Sequence, residues 1–289
     1  MRSSLPLGEL RRLVQQALAE DIGSGDVTSW AVVPAGQCAR AVMVAREPLV
    51  VAGLVIAELT FRMASPRVRV RRLMRDGQRA VAGSRLLVVR GPARALLAAE
   101  RVALNFVQHL SGIATLTARF VEAVRGTRAR ILDTRKTTPG LRRLEKYAVR
   151  CGGGFNHRFG LFDQVLIKDN HLAALKGAAP NPIAVAVQRA RARWPRLTVE
   201  VEADTLEQVA QAVAAGADMI LLDNMSPRQL RAAVQLVAGR ARTEASGGVT
   251  LRTVRQIAQA GVDFISVGAL THSAPAVDIG LDFECEDPG

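Results

Sequence analysis

From Ile113 onward the chain repeats one arrangement: a short apolar run, a polar or glycine-rich turn, and usually a helical stretch. The runs fall at 129–132, 164–167, 197–201, 218–222, 240–244 and 263–267, with helical stretches such as 206–215 and 250–260 between them. Near-continuous apolar strands are buried on both faces, and an intervening helix allows the next strand to run parallel to the last. The alternation predicts a parallel α/β architecture, either an open doubly wound sheet or a barrel. Polar residues stand at the ends of several different runs, namely Asp133, Lys168, Glu202, Asp223 and Glu244. An open sheet needs such groups only near its switch point, so their spread weights the reading toward a barrel. Six runs are fewer than the eight of a regular barrel, which points to incomplete closure.

The segment before this repeat has a different grammar. Leu7, Leu10, Val14, Ala17 and Leu18 recur at helical spacing until the turn residues of 20–26 break the pattern. Strands are expected at 39–45, 68–71 and 85–90, a helix at 51–63, and an Ala/Leu-rich helix from near Pro92. The expected organisation is an α/β domain over 1–112 and a barrel domain over 113–272. The tail, 273–289, is a candidate to pack back on the first domain.

A formal charge of +13 draws anionic partners of any kind. Aromatic residues make up only 4%, the basic residues are spread along the chain, and no zinc-finger, RNP-like or basic-zipper pattern occurs, so no specific nucleic-acid partner is expected. Cys38, Cys151 and Cys285 form no close pair and suit a reducing cytoplasm better than a disulfide framework. No signal-like segment opens the chain, and no uncharged run approaches the ~18 residues of a membrane span. Cytoplasmic residence without a membrane partner is the expectation.

Several loops carry groups suited to anions. Asp133 to Gly140 sets Arg135 and Lys136 beside three threonines where a strand ends, which is a way to hold carboxylate or phosphate oxygens and equally a polar loop closed by Pro139-Gly140. The three glycines before Phe155 let backbone N–H groups approach an anion, with His157 and Arg158 next in line; a permissive turn would look the same. Lys168 follows an apolar run and is expected at the barrel mouth. Glu202 and Asp223 end successive runs and offer hard oxygen ligands for Mg²⁺, or caps for the helices that follow. Ser246-Gly247-Gly248 and Gly268, with His272 nearby, follow late strands, where α/β barrels recurrently seat phosphate.

These segments, in this order, closely resemble the quinolinate phosphoribosyltransferase family. The resemblance rests on 20–28, on 100–105 with 111–115, and on 133–140, 152–158, 166–171, 221–224 and 246–248, and it runs from near residue 7 to His272. It implies an N-terminal α/β sandwich domain, an incomplete α/β barrel, and a homodimer with shared active sites. It also implies decarboxylating transfer from 5-phosphoribosyl 1-pyrophosphate to quinolinate with Mg²⁺; a relative acting on nicotinate is the nearest alternative. By the same resemblance Arg101, Arg135, Lys136, His157, Arg158 and Lys168 bind quinolinate, Arg101 being delivered by the partner subunit. Glu202 and Asp223 take the ribose hydroxyls and Mg²⁺, while Ser246, Gly247, Gly248, Gly268 and His272 seat phosphate. Lys136, Lys168, Glu202 and Asp223 are the groups implied beside the reacting atoms.

Overall fold

The computed structural model describes residues 6–285, which divide into two compact units. The first takes in 6–118, 139–153 and 273–285; the second takes in 119–138 and 154–272. In chain order the elements begin with α1 (Leu7–Ile22), α2 (Val27–Val32), β1 (Cys38–Ala45), β2 (Leu49–Val50) and α3 (Leu54–Ala64). Next come β3 (Arg69–Arg72), β4 (Arg79–Ala80), β5 (Arg85–Pro92) and α4 (Ala93–Ala123). The chain continues with β6 (Arg130–Leu132), α5 (Arg142–Cys151), β7 (Val165–Ile167), α6 (Asp169–Ala173), α7 (Pro182–Arg193) and β8 (Val199–Ala203). It ends with α8 (Leu206–Ala214), β9 (Met219–Asp223), α9 (Pro227–Val237), β10 (Arg242–Ser246), α10 (Val254–Gln259), β11 (Phe264–Ser266), α11 (Ala269–His272) and β12 (Ile279–Cys285). Helix α4 runs unbroken through residue 112, because Val102 to Thr117 keeps a helical burial pattern with no stop signal. No helix among the described residues is long and apolar enough to cross a membrane.

In the first unit four strands form a sheet in the order β12-β1-β5-β3, all pairs antiparallel. Helix α3 packs beside β3 and β5 through a face that buries Leu54, Ile56, Ala57 and Phe61. At roughly 1.5–3 kcal/mol for each large apolar side chain removed from water, this face is a main source of the unit's cohesion. Strand β12 pairs with β1 from Ala45↔Ile279 to Ala39↔Cys285, and Arg40–Glu284 and Arg46–Asp282 ion pairs join the two strands. Just before it, Val277 N–H donates to the Gln108 carbonyl, and Gln108 Nε2 donates to the Ile279 carbonyl at 2.8 Å.

The second unit holds six parallel strands in the order β6-β11-β10-β9-β8-β7. Apart from the wrap between β6 and β11 this is chain order, as in a barrel, and no pairing closes β6 against β7. The architecture is therefore an incomplete α/β barrel preceded by an α/β sandwich domain. Its helices start where the sequence caps them: Thr205 accepts from Gln208 N–H and Ser226 from Gln229 N–H, each pair forming a reciprocal capping box. In β8 the period of two sends Val199, Val201 and Ala203 to one face and Glu200 and Glu202 to the other. Glu244, expected at a strand end, lies in mid-strand and is fully buried. Strand β10 extends two residues further, because Ala245 continues the buried pattern and Ser246 pairs in register with Asp223.

Gly112 tests the seat of the final segment. A glycine inside a helix ordinarily costs about 1 kcal/mol relative to alanine. Here a Cβ would stand 2.1 Å from the Pro275 carbonyl oxygen, so the clash outweighs the helical gain. Gly112→Ala should lower unfolding stability by roughly 1–3 kcal/mol, as overpacking does, measured by urea denaturation.

Candidate active site

The free edge of β6 positions the first group of side chains. Phe155 lies against it in a parallel bridge with Leu132, its N–H donating to the Ile131 carbonyl at 2.8 Å and its carbonyl accepting from Asp133 N–H at 3.1 Å. Asp133 is fully buried and accepts from the Asn156 side-chain amide at 2.6 Å and from His157 N–H at 2.9 Å. The residue expected to offer a polar strand end is thus the anchor of the loop carrying His157 and Arg158. Arg158 Nη1 donates to the Gln164 carbonyl at 3.3 Å. Its pKa is lowered by burial and then by the nearby charge of Arg135, with Glu200 and Asp163 opposing. The Arg135 charge is thus near enough to act on Arg158.

Around the rim, Lys168 Nζ stands 3.7 Å from Glu202 Oε2. Burial raises the Glu202 pKa; Lys168 opposes this, and Asp223, Asp169 and Asp204 reinforce it. Glu202 and Asp223, on neighbouring strands, therefore share one electrostatic environment. Asn224 is at φ 52° beyond Asp223, its N–H donating to the Ser246 carbonyl at 2.9 Å. Its side chain fills the space beside Gly247, where a Cβ would stand 2.1 Å from Asn224 Oδ1, and Gly247 itself is at φ +97°. Glycine is required there on both counts. Gly248 follows in the same loop. Gly268 lies against the His272 imidazole and the Lys136 stem, and Thr271 Oγ1 donates to the Lys136 carbonyl at 2.6 Å. The structure thus gathers Lys136, Gly268 and His272, pairs Lys168 with Glu202, and joins the Ser246-Gly247-Gly248 loop to Asp223 through Asn224. Arg101 belongs to the first unit and is exposed on α4.

Beneath the rim lies a group the sequence reading passed over. His157 Nε2 is 3.1 Å from Glu200 Oε2 and 3.5 Å from Glu244 Oε2, both carboxylates being fully buried. Gln164 Nε2 donates to Glu200 at 2.7 Å. The alternation Val199-Glu200-Val201-Glu202 carried the signal for Glu200, since it sets both acids on one strand face. The three side chains are grouped closely enough to hold a metal ion. The tautomer opposes that use of Nε2: Nδ1 accepts the Arg158 N–H at 2.7 Å, so the ring proton belongs on Nε2, where it faces the carboxylates. Burial and the charge of Glu200 push the Glu244 pKa well up, with His157 opposing. Cys151 is no nucleophile, because burial holds its thiol at about 12.

The sequence profile described as "Quinolinate phosphoribosyl transferase, C-terminal domain" matches residues 113–282, and that described as "Quinolinate phosphoribosyl transferase, N-terminal domain" matches 26–111. This chain belongs to the quinolinate phosphoribosyltransferase family. Within the quinolinate phosphoribosyltransferases, it is 48% identical to the carboxylating nicotinate-nucleotide pyrophosphorylase of Mycobacterium leprae, across 98% of this chain and all of that protein. The solved NadC structure from Streptococcus pyogenes is 41% identical and superposes with a TM-score of 0.93, covering 99% of this chain and 100% of that one. The nicotinate-nucleotide pyrophosphorylase from Francisella tularensis superposes at 0.91 with 40% identity, over 97% and 98% of the two chains.

The buried acids give this member of the quinolinate phosphoribosyltransferases a testable pH signature. A carboxyl whose folded pKa is raised contributes most below its ordinary value near 4.5 and loses that contribution as pH rises through the folded pKa. Glu244→Gln should therefore match the parent near pH 4 and be more stable by roughly 1–3 kcal/mol at pH 8 in chelator-treated buffer, read by urea denaturation. Equal or lower stability of the variant at pH 8 would overturn this expectation.

Proposed function

We propose that this chain transfers the phosphoribosyl group of 5-phosphoribosyl 1-pyrophosphate to quinolinate with decarboxylation, giving nicotinate mononucleotide, pyrophosphate and carbon dioxide. The carrying observation is the pair Arg135 and Arg158, the charge of the first adding to burial in lowering the pKa of the second. Quinolinate presents two adjacent carboxylates, and guanidinium forks match carboxylates in shape as well as charge. Lys136, His157 and Lys168 complete the quinolinate seat in this reading. His157 contributes mainly by fixing Arg158, since its Nδ1 accepts that residue's N–H.

Glu202 and Asp223 take the ribose hydroxyls and the metal side of the pocket. Their oxygen donors fit Mg²⁺, and a cation would relieve the repulsion from Asp223 that adds to burial in raising the Glu202 pKa. When bound, Mg²⁺ supplies charge stabilisation to the departing pyrophosphate. Ser246, Gly247, Gly248, Gly268 and His272 hold the 5-phosphate through backbone N–H groups and the imidazole. The chain's own part in catalysis is positioning and electrostatics. Lys136 and Lys168 stabilise negative charge that builds on the leaving group, while the seat aims the ring nitrogen at the ribosyl carbon. The adjacent carboxylate then leaves as carbon dioxide, the positive ring nitrogen stabilises the electron pair left on the ring carbon, and a proton taken up at that carbon completes nicotinate mononucleotide. In this reading the protein works in the cytoplasm as a homodimer, each site receiving Arg101 from the partner subunit.

Purified protein should turn over quinolinate with 5-phosphoribosyl 1-pyrophosphate and Mg²⁺. Turnover of nicotinate in place of quinolinate would overturn the substrate assignment. Asp223→Asn and Glu202→Gln should weaken phosphoribosyl-substrate binding at least tenfold, about 1.4 kcal/mol, while leaving quinolinate binding within a few fold, as read by calorimetry of each ligand.

The shared site makes a second forecast. Arg101→Ala and Lys168→Ala should each be nearly inactive and folded. After subunit exchange their mixture should regain activity, since one pocket of each heterodimer inherits neither change. Verified heterodimers without recovery would place Arg101 outside the partner's site.

A further inference from the structure

A second cationic recess lies at the opposite end of the barrel from the rim groups. Its walls are the starts of strands: Arg130 opens β6, Arg242 opens β10 and Phe264 opens β11, while Asp133, Asp223 and Ser246 lie at or just beyond the other ends. Strands of three to five residues separate the two ends by roughly 10–17 Å. The recess encloses about 750 Å³ and is also lined by Arg128, Arg240, Asp218 and Asp263.

Both aspartates are committed to holding strand starts. Asp263 accepts from Thr243 N–H at 2.9 Å and Thr243 Oγ1 at 3.0 Å and pairs with Arg128. Asp218 accepts from Val199 N–H at 2.8 Å and pairs with Arg191 at 2.8 Å. These bonds keep both carboxyls ionised, with lowered pKa values despite partial burial.

Arg130, Arg240 and Arg242 form no ion pair with a described carboxylate. They are nevertheless held in place. The Arg130 guanidinium lies 5.0 Å from the Phe155 ring centroid and that of Arg242 lies 5.7 Å from the Phe264 centroid, arrangements that orient the planar fork. Arg240 donates to the Leu236 and Val237 carbonyls at the end of α9. Three exposed arginines without an acidic partner line one recess, beside acids that are already paired, and such a lining suits a multiply charged anion.

We propose that this recess binds an oligophosphate chain, free or carried on a nucleotide, at a site separate from the phosphoribosyl pocket. A single phosphate would leave most of this volume unfilled.

The test is calorimetric titration of the whole protein with inorganic tripolyphosphate in 0.15 M salt. The active site can also take this probe, so the readout is the difference between proteins. Arg130→Gln/Arg242→Gln should bind one fewer tripolyphosphate per chain than the parent, or bind that equivalent at least tenfold more weakly, with turnover of quinolinate unchanged. Arg228→Gln/Arg231→Gln removes the same charge from exposed positions on α9 and should keep the parent's stoichiometry. Repeating the titration with ATP separates the two sources: equal affinity means the phosphate chain alone is recognised, and tighter binding means the nucleoside adds contacts. Identical binding by the parent and Arg130→Gln/Arg242→Gln, or an equal loss in the α9 variant, would overturn the proposal.

Discussion

An unpaired strand edge needs partners for its backbone groups, and in this chain the edge of β6 finds them in the segment that carries His157 and Arg158. Phe155 occupies the place a seventh strand would take, and the buried Asp133 carboxylate fixes the next two residues through a side-chain amide and a main-chain N–H. The position of His157 and Arg158 thus follows from the hydrogen-bond needs of an incomplete barrel. A closed barrel with β6 paired to β7 would leave no edge for this strip to follow.

Electrostatics divides the barrel interior and its ends. The rim carries Arg135 and Arg158, near enough for one charge to act on the other, the layer below buries two carboxylates around one imidazole, and the far end is again rich in arginine. Each layer is costly alone in a low-dielectric interior. The imidazole lies where the layers meet, turning Nε2 toward the acids and Nδ1 toward the Arg158 backbone. A change in the buried acids therefore reaches the rim through a side chain that need not touch substrate itself.

Much of this was legible in the sequence because periodicity and punctuation report burial directly. The six parallel strands were readable as apolar runs, and the order of the loop motifs identified the family. Glu244 was misplaced to a strand end because 240–244 looks like a complete run, whereas Thr243 and Ala245 are the buried neighbours and Ser246 is the last paired residue. Asp133 looked like a site group because a strand-end carboxylate is ambiguous until its donors are known. The recess at the strand starts escaped notice because Arg128, Arg130, Arg240 and Arg242 are far apart along the chain. Only closure of the sheet through the β6–β11 pairing brings the first two beside the others.

The antiparallel pairing of β12 with β1 also bears on how the protein is made. Ala39 meets Cys285, so the edge of the first sheet waits until synthesis has passed residue 285. The barrel unit, assembled from 119–138 and 154–272, has all its strands in hand earlier. Synthesis therefore supplies the last strand of the first unit only after every strand of the second, and until then one side of β1 stays open to stray strands. A ribosome stalled shortly before residue 279 would leave that edge uncovered although every strand of the barrel had been made.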